Sequence, residues 1–193
     1  MQVTSLNDQS LIACYLEGNE RAFEELLNRH KNKIYTSIYL FVKDQSLAED
    51  IFQEVFIKII DTLRKGKYNH EGKFVQWAMR ISYNMCVDYF RRNKRRPKVS
   101  PTEAFDIFDI LQVTDDNAEQ RIIKSQTHAK VRKLVDQLPP EQREVVILRH
   151  YADMSFKEIS QLTRVSINTA LGRMRYALIN IRKMIEEKEI TLQ

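Results

Sequence analysis

The chain has 193 residues, a formal net charge of +5 and a sequence isoelectric point near 9.1. With 43% hydrophobic and 30% charged residues it can bury one or two small cores, and only four Gly and four Pro favour helices with short loops over a turn-rich β fold. No apolar run approaches the ~18 residues of a membrane span, and Cys14 and Cys86 form neither a metal-type spacing nor a disulfide framework, so a reduced, cytoplasmic protein is expected.

The N-terminal MQVTSLNDQS lacks the basic and apolar segments of a signal peptide. Leu6 to Glu17 then reads as a short helix closed by Gly18, the residue type favoured just past a helix C-terminus. Asn19 is placed to cap a second helix, which carries Phe23, Leu26, Leu27, His30, Ile34, Ile38 and Phe41 at helical spacing. His30 has no partner at metal spacing and reads as a core histidine. Ser46 and Glu49 have the spacing of a capping box, so a third helix is expected to start there. Its buried stripe would be Leu47, Ile51, Val55, Ile59 and Leu63, with Phe52, Phe56 and Ile60 on a second apolar flank. Asp50, Gln53, Glu54 and Asp61 occupy the remaining side, either as a solvated face or as a ridge for a partner.

Arg64 to Lys73 is a loop with two glycines, four cations and the rings of Tyr68 and His70. It is a simple connector, or a place where splayed bases stack at about 1–3 kcal/mol each. The helix that follows is expected to bury Phe74, Trp77, Ala78, Ile81, Met85 and Tyr89. Gln76, Arg80, Tyr83 and Asn84 would face outward, and five of the six residues from Arg91 to Arg96 are basic before Pro97 ends the run. One face buried, one face offering polar groups and a ring, and a cationic end suit a nucleic acid strand; an ordinary core helix with a solvated tail has the same pattern. Residues 98–117 lack a clean period and mix acidic residues with Phe105, Ile107, Phe108, Ile110 and Leu111, which reads as a flexible linker with an apolar patch. Helical period resumes between Ala118 and Gln137.

The C-terminal block is the most legible. Pro140 suits a helix start, where its missing N–H costs nothing, and the helix carries Val145, Val146, Leu148 and Tyr151. Ser155 and Glu158 form a second capping box before Ile159 and Leu162. After a turn at Arg164-Val165-Ser166, Ser166 can cap a long last helix with Ile167, Ala170, Leu171, Met174, Leu178, Ile181 and Ile185 as its buried stripe. Two helices joined by a turn this short make a helix-turn-helix, whose second helix enters the DNA major groove. Asn168, Thr169, Gly172, Arg173 and Tyr176 would then face the bases, with Arg175 nearby, and Lys157, Arg182 and Lys183 would reach phosphates. The alternative is a helical hairpin with a solvated outer face.

Charge is segregated. Residues 1–97 hold 16 basic and 12 acidic side chains, residues 98–129 hold 3 and 6, and residues 130–193 hold 12 and 8. Two basic blocks on an acidic tether suggest two polyanion-binding domains. His30, His70, His128 and His150 are too scattered for a metal site, and no phosphate-binding glycine loop or nucleophile constellation appears, so neither enzymatic activity nor a cofactor is expected. A regulator that binds only duplex DNA, and an all-helical adaptor for acidic partners, are the other function classes this pattern allows.

Ala48 to Phe56 (AEDIFQEVF) followed by Phe74 to Asn84 (FVQWAMRISYN) resembles region two of bacterial sigma factors. Leu138 to Arg143 (LPPEQR) together with Ser155 to Arg182 resembles region four. The paired segments, with little else in the chain, are similar to the extracytoplasmic-function (ECF) group of the sigma-70 family. The resemblance implies an all-α fold of two small helical domains, region two over residues 1–97 and region four over 118–193, joined by a flexible linker at 98–117. It implies core RNA polymerase as partner, through the β′ clamp helices and the β flap, together with promoter DNA and an anti-sigma factor, and no membrane insertion. Asp50, Gln53, Glu54 and Phe56 would dock on the clamp helices. Lys67, Tyr68, His70, Gln76, Arg80, Tyr83, Asn84, Arg91 and Arg92 would take the non-template strand of the minus-ten element. Lys157, Ser166, Asn168, Thr169, Gly172, Arg173, Arg175 and Tyr176 would serve the minus-thirty-five element. Where many members carry a polar or basic pair in the recognition helix, this chain has Leu171-Gly172.

Overall fold

A computed structural model describes residues 3–69, 72–93 and 130–188. Among these residues there are helices and no strands, in agreement with the all-α expectation. After a 3-10 turn at Val3–Ser5 come α1 (Asp8–Leu16), α2 (Glu20–Val42), α3 (Gln45–Arg64) and α4 (Phe74–Asn93). The later helices are α5 (residues 130–136), α6 (Pro140–His150), α7 (Phe156–Thr163) and α8 (Ile167–Glu187). They form two compact units, the first containing α1 to α4 and the second α6 to α8. The linker expected at 98–117 lies outside the described residues.

In the first unit α2 is the central element, packed on α1, α3 and α4. Its 23 residues span about 34 Å at 1.5 Å per residue. Ile34 to Ile38 are buried without a break, including the hydroxyl-bearing Tyr35, Thr36 and Ser37. Serines on α2 and α4 satisfy their hydroxyls internally, whereas the Tyr35 hydroxyl is buried without a hydrogen-bond partner among the described residues. Ser37 Oγ donates to the Ile34 carbonyl at 2.8 Å and lies 3.0 Å from Met79 Sδ on α4. On α4, Ser82 Oγ donates to the Ala78 carbonyl at 2.9 Å. The N-terminal segment is clamped to α2 by Arg29, which donates to the carbonyls of Leu6 and Thr4 at 2.6 and 2.8 Å. His30 is half-buried, with Nε2 2.8 Å from Asp8 Oδ2, so the histidine read as a core residue also ties α1 to α2.

Several local expectations need correction. The first helix starts at Asp8, because Asn7 caps it by accepting from the Ser10 N–H at 2.8 Å. Gly18 has φ +99°, as a helix-ending glycine should, but Asn19 makes no side-chain cap bond to α2. The capping box at Ser46 does not form. Asp44 caps α3 by accepting from the Leu47 N–H at 2.9 Å, and Ser46 sits inside the helix. Asp and Ser are comparable caps, and choosing Asp44 adds residues to α3 without losing a bond.

The buried side of α4 is also rotated. Phe74, Ala78, Met79, Ser82, Tyr83 and Cys86 are buried, whereas Trp77, Ile81, Met85 and Tyr89 are only half-buried. On the buried side the small residues Ala78, Ser82 and Cys86 alternate with Phe74, Met79 and Tyr83, which lets α4 pack closely on α2 and α3.

In the second unit Val135, Leu138, Val146 and Ala177 form a buried cluster, with Met174, Ile181 and Met184 packed on it. The α7 capping box is complete. Ser155 Oγ accepts from the Glu158 N–H at 3.2 Å, and Glu158 Oε2 accepts from the Ser155 N–H at 2.9 Å. Ser166 caps α8, accepting from the Thr169 N–H at 3.0 Å. Between them Arg164 turns the chain with φ +57°, a left-handed position filled without glycine. The α8 stripe is shifted as on α4. Ala170 and Ala177 are buried, whereas Ile167, Leu171 and Leu178 are 46%, 43% and 44% exposed.

Burial pushes the Cys86 thiol up to about 12, so its reactive thiolate is scarce at neutral pH. Cys14 is half-buried. A thiol-specific reagent at neutral pH should therefore modify one cysteine of the native protein readily and Cys86 only when denaturant is added. Equal rates at both thiols, measured by peptide mass after quenching, would contradict the packing of α4.

Candidate nucleic-acid interface

Three surfaces collect the residues singled out by sequence. On α3, Asp50, Gln53 and Glu54 are exposed on one side of the helix, as expected for a ridge. Phe56 is not on it. It is 8% exposed and packs against Phe52 at 4.8 Å between ring centroids, and at two positions from Glu54 and six from Asp50 it is turned away from the ridge toward the bundle. Ile57 takes its place, 67% exposed and in register with Asp50, Gln53 and Glu54 at spacings of seven, four and three. Sequence reading missed Ile57, although that spacing was the signal. The ridge is thus acidic and polar with one projecting apolar side chain.

On α4, Arg80 and Asn84 are exposed and one turn apart, and Gln76 is half-buried one turn earlier. Arg91 stands seven residues after Asn84, on the same side of the helix, so Arg80, Asn84 and Arg91 form a row about 16 Å long. Arg92 is exposed beside that row, and Arg91 lies 3.4 Å from Asp88. Tyr83, expected to face outward, is instead buried with its ring edge-on to Phe41 at 5.6 Å. It belongs to the side of α4 that packs on the bundle.

The loop before α4 is anchored from its first half. Lys67 is exposed, whereas the Tyr68 ring is half-buried and lies 4.4 Å from the Trp77 ring and 6.3 Å from Phe74. Phe74 in turn meets Trp77 at 5.9 Å and His30 at 5.6 Å. Four rings from the loop, α4 and α2 therefore form one cluster. Aromatic pairs of this kind contribute about 0.5–1.5 kcal/mol beyond their buried area, enough to hold the start of the loop against α4. Tyr68 is thus a loop anchor first, with only part of its surface left for a base. His70 lies outside the described residues.

In the second unit, Asn168, Thr169, Arg175 and Tyr176 are exposed on α8, and Lys157 is exposed on α7. Ser166 and Thr169 are partly committed to the cap, with their side-chain oxygens 2.8 Å apart. Arg173 does not project freely. Its Nη1 lies 3.5 Å from Glu144 Oε2 of α6, and both side chains keep about a quarter of their surface, 25% and 22%. Gly172 is half-exposed near the middle of the outward side, and a Cβ added there would meet no heavy atom within 4 Å.

Among the described residues no group of three or more His, Cys, Asp or Glu is arranged to hold a metal, and no helix is long and apolar enough to cross a membrane.

Comparison with known proteins assigns both units. The sigma-70 region 2 family matches residues 26–96, and the sigma-70 region 4 family matches residues 128–175. The RNA polymerase sigma-H factor of Pseudomonas aeruginosa is 28% identical over 188 residues, covering 95% of this chain and 96% of that protein. The ECF RNA polymerase sigma-E factor of Haemophilus influenzae is 26% identical over 188 residues, covering 95% of each. Among solved structures, the sigma factor RpoE from Bartonella quintana, in complex with the anti-sigma factor NepR, aligns over 85% of this chain and 96% of its own, with a TM-score of 0.62 at 15% identity. CnrH, in complex with the cytosolic domain of CnrY, aligns over 93% and 97%, with a TM-score of 0.60 at 22% identity. At these identities the solved structures speak to the fold.

The ring cluster makes a direct prediction, because Trp77 is the single tryptophan of the chain. Tyr68→Ala should shift and dequench its fluorescence while the helical circular dichroism stays unchanged, and Tyr68→Phe should leave the emission near that of the wild type. Indistinguishable emission from all three proteins would mean that Tyr68 does not anchor the loop.

Proposed function

This chain belongs to the ECF group of the sigma-70 family, whose members direct promoter-specific initiation by RNA polymerase, and we propose that it divides this task between its two units. Residues 1–97 would dock on core polymerase and take the melted minus-ten element, and residues 118–193 would read the minus-thirty-five element as duplex, with residues 98–117 as the tether. The observation that carries this reading is the pairing, in one chain, of the Arg80–Asn84–Arg91 row on α4 with a capped helix-turn-helix. A regulator confined to duplex DNA has no use for the first, and an adaptor has no use for the second.

The chemistry is binding throughout. The α3 ridge of Asp50, Gln53, Glu54 and Ile57 suits a basic helical partner with one apolar contact, the role proposed for the β′ clamp helices. Opening a duplex costs a few kcal/mol for each base taken out of the stack. Stacking offsets this at about 1–3 kcal/mol per base, and Trp77, half-buried beside the loop, leaves part of its ring available for it. Asn84 supplies donor and acceptor groups for an unpaired base, and Arg80, Arg91, Arg92 and Lys67 supply cations for the backbone. Capturing the strand as it unpairs lets binding energy drive melting, while the polymerase carries out the chemistry of RNA synthesis. In the second unit α8 enters the major groove, with Asn168, Arg175 and Tyr176 toward the bases and Lys157 toward a phosphate. The same unit would meet the β flap. The complex of one solved neighbour, RpoE, with the anti-sigma factor NepR supports control of this chain by an anti-sigma factor, in the cytoplasm where polymerase works.

Added to core polymerase, the chain should start transcripts at a defined set of promoters of its own genome. Failure at every promoter, by folded protein that still binds core, would overturn the proposal. Asn84→Ala should reduce open-complex formation by roughly tenfold, about the worth of one or two hydrogen bonds, and leave core binding nearly intact. Glu54→Lys should do the reverse, weakening core binding without changing the affinity of the second unit for duplex DNA. Parallel loss of both activities in the Asn84 variant would assign that residue to folding.

A further inference from the structure

We propose that α8 reads the centre of its duplex site by apolar contact and close backbone approach, with Leu171 against the C5-methyl group of a thymine and Gly172 setting how deeply the helix docks. This rests on the reading of α8 as the duplex-binding helix and specifies how that helix discriminates bases.

Three observations converge on it. First, Leu171 is 43% exposed in the second turn of a helix whose core contacts are made by Ala170, Met174 and Ala177. Much of this large apolar side chain is left outside the core of the unit. Second, Gly172 is required by nothing among the described residues. It lies in regular helix, outside the positive-φ glycines, and a Cβ would meet open space. Glycine within a helix weakens it relative to alanine, and no internal contact offsets that loss. Third, the guanidinium next to Gly172 in sequence is already engaged, because Arg173 is paired with Glu144.

The helical period makes these facts one geometry. Asn168 and Tyr176 stand one turn before and after Gly172 on the same side, both exposed, so the missing side chain leaves a notch between two longer ones. A base edge entering the notch brings the helix axis closer to the groove floor than any other residue at 172 would allow. At that depth Leu171, on the neighbouring side of the helix, meets the groove wall. The major groove presents one apolar group, the thymine methyl, and aliphatic side chains recognise it by exclusion of water. The pair that looks unable to read bases by hydrogen bonds thus selects A·T pairs by a different physical contact.

The test uses the full chain and a duplex carrying the minus-thirty-five element of a promoter mapped for this protein, at fixed salt. Deoxyuridine, which lacks the C5-methyl group, replaces each thymine in turn. At one position wild-type affinity should fall about fourfold, the worth of one buried methyl group. Leu171→Ala should bind the thymine duplex less tightly by at least that factor and lose sensitivity to uracil at that position. Gly172→Ala should bind both duplexes more weakly, although its melting temperature stays the same or rises. Equal wild-type binding to thymine and uracil duplexes at every position would overturn the methyl contact, and undiminished binding by Gly172→Ala would overturn the docking-depth role. If Leu171→Ala instead weakens association with core polymerase and leaves duplex affinity intact, Leu171 belongs to a protein interface and the proposal fails. Wild-type protein with no preference for any mapped promoter duplex would defeat the broader reading of α8 rather than this one.

Discussion

The unbroken burial of Ile34 to Ile38 on α2 is the constraint on which the first unit depends. A helix enclosed on every side there has no polar face to offer, so its neighbours must supply apolar or self-satisfied surfaces toward it. That requirement turns α4 so that Ala78, Met79, Ser82 and Cys86 face inward. With α4 fixed in that rotation, Arg80, Asn84 and Arg91 have only solvent to face. The candidate strand-binding row is therefore a consequence of core packing, and a core substitution that rotated α4 by a fraction of a turn would dismantle the row without touching it. A large-to-small change at Ile38, fully buried on α2, costs about 1–5 kcal/mol by general precedent.

The second unit reaches the same end by local chemistry. It has few buried residues on its last two helices, Ile159 and Ser160 on α7 and Ala170 and Ala177 on α8. Each of these helices starts at a serine cap worth about 1 kcal/mol. The caps fix the angle at which α8 leaves the turn, and with it which residues of its first two turns are presented outward. Arg164 holds the turn in a left-handed conformation that glycine would adopt at lower cost. A short, cap-directed pair of helices suits a reading head, since its outer side is not needed for stability and remains open to the sequence of the site.

Much of this was legible in the sequence. Gly18, the Ser155 box, the Ser166 cap and the start of α6 at Pro140 all follow from residue chemistry acting over a single turn, where nothing distant competes. The exposed ridge of Asp50, Gln53 and Glu54 and the pair Arg80 and Asn84 followed from period alone. The main failures are of helix rotation. On α4 and α8 the sequence offers two stripes side by side, and period alone does not choose between them. The folded protein buries Ala170 and Ala177 on α8, and on α4 a side that mixes Ala78 and Ser82 with Met79 and Tyr83. Tyr83 and Leu171 were therefore assigned to the wrong sides, and Phe56 was put on a ridge that belongs to Ile57. Ser46 lost to Asp44 because two good caps lay two residues apart and local rules rank them equally.

Small residues at helix contacts also bear on where the partly exposed apolar groups lie. Close approach at Ala78 and Ser82, or at Ala170 and Ala177, displaces the bulkier neighbours to the margin of the contact. Trp77 is thus left half-buried at the edge of α4, free enough to meet Tyr68 of the loop, and Leu171 is left exposed at the edge of α8. A single exposed apolar side chain is ordinary on a protein surface, so its position matters more than its exposure. Trp77 packs against Tyr68 of the loop and stays half-buried. The described residues leave Leu171 43% exposed, the surface that the proposed thymine contact would cover.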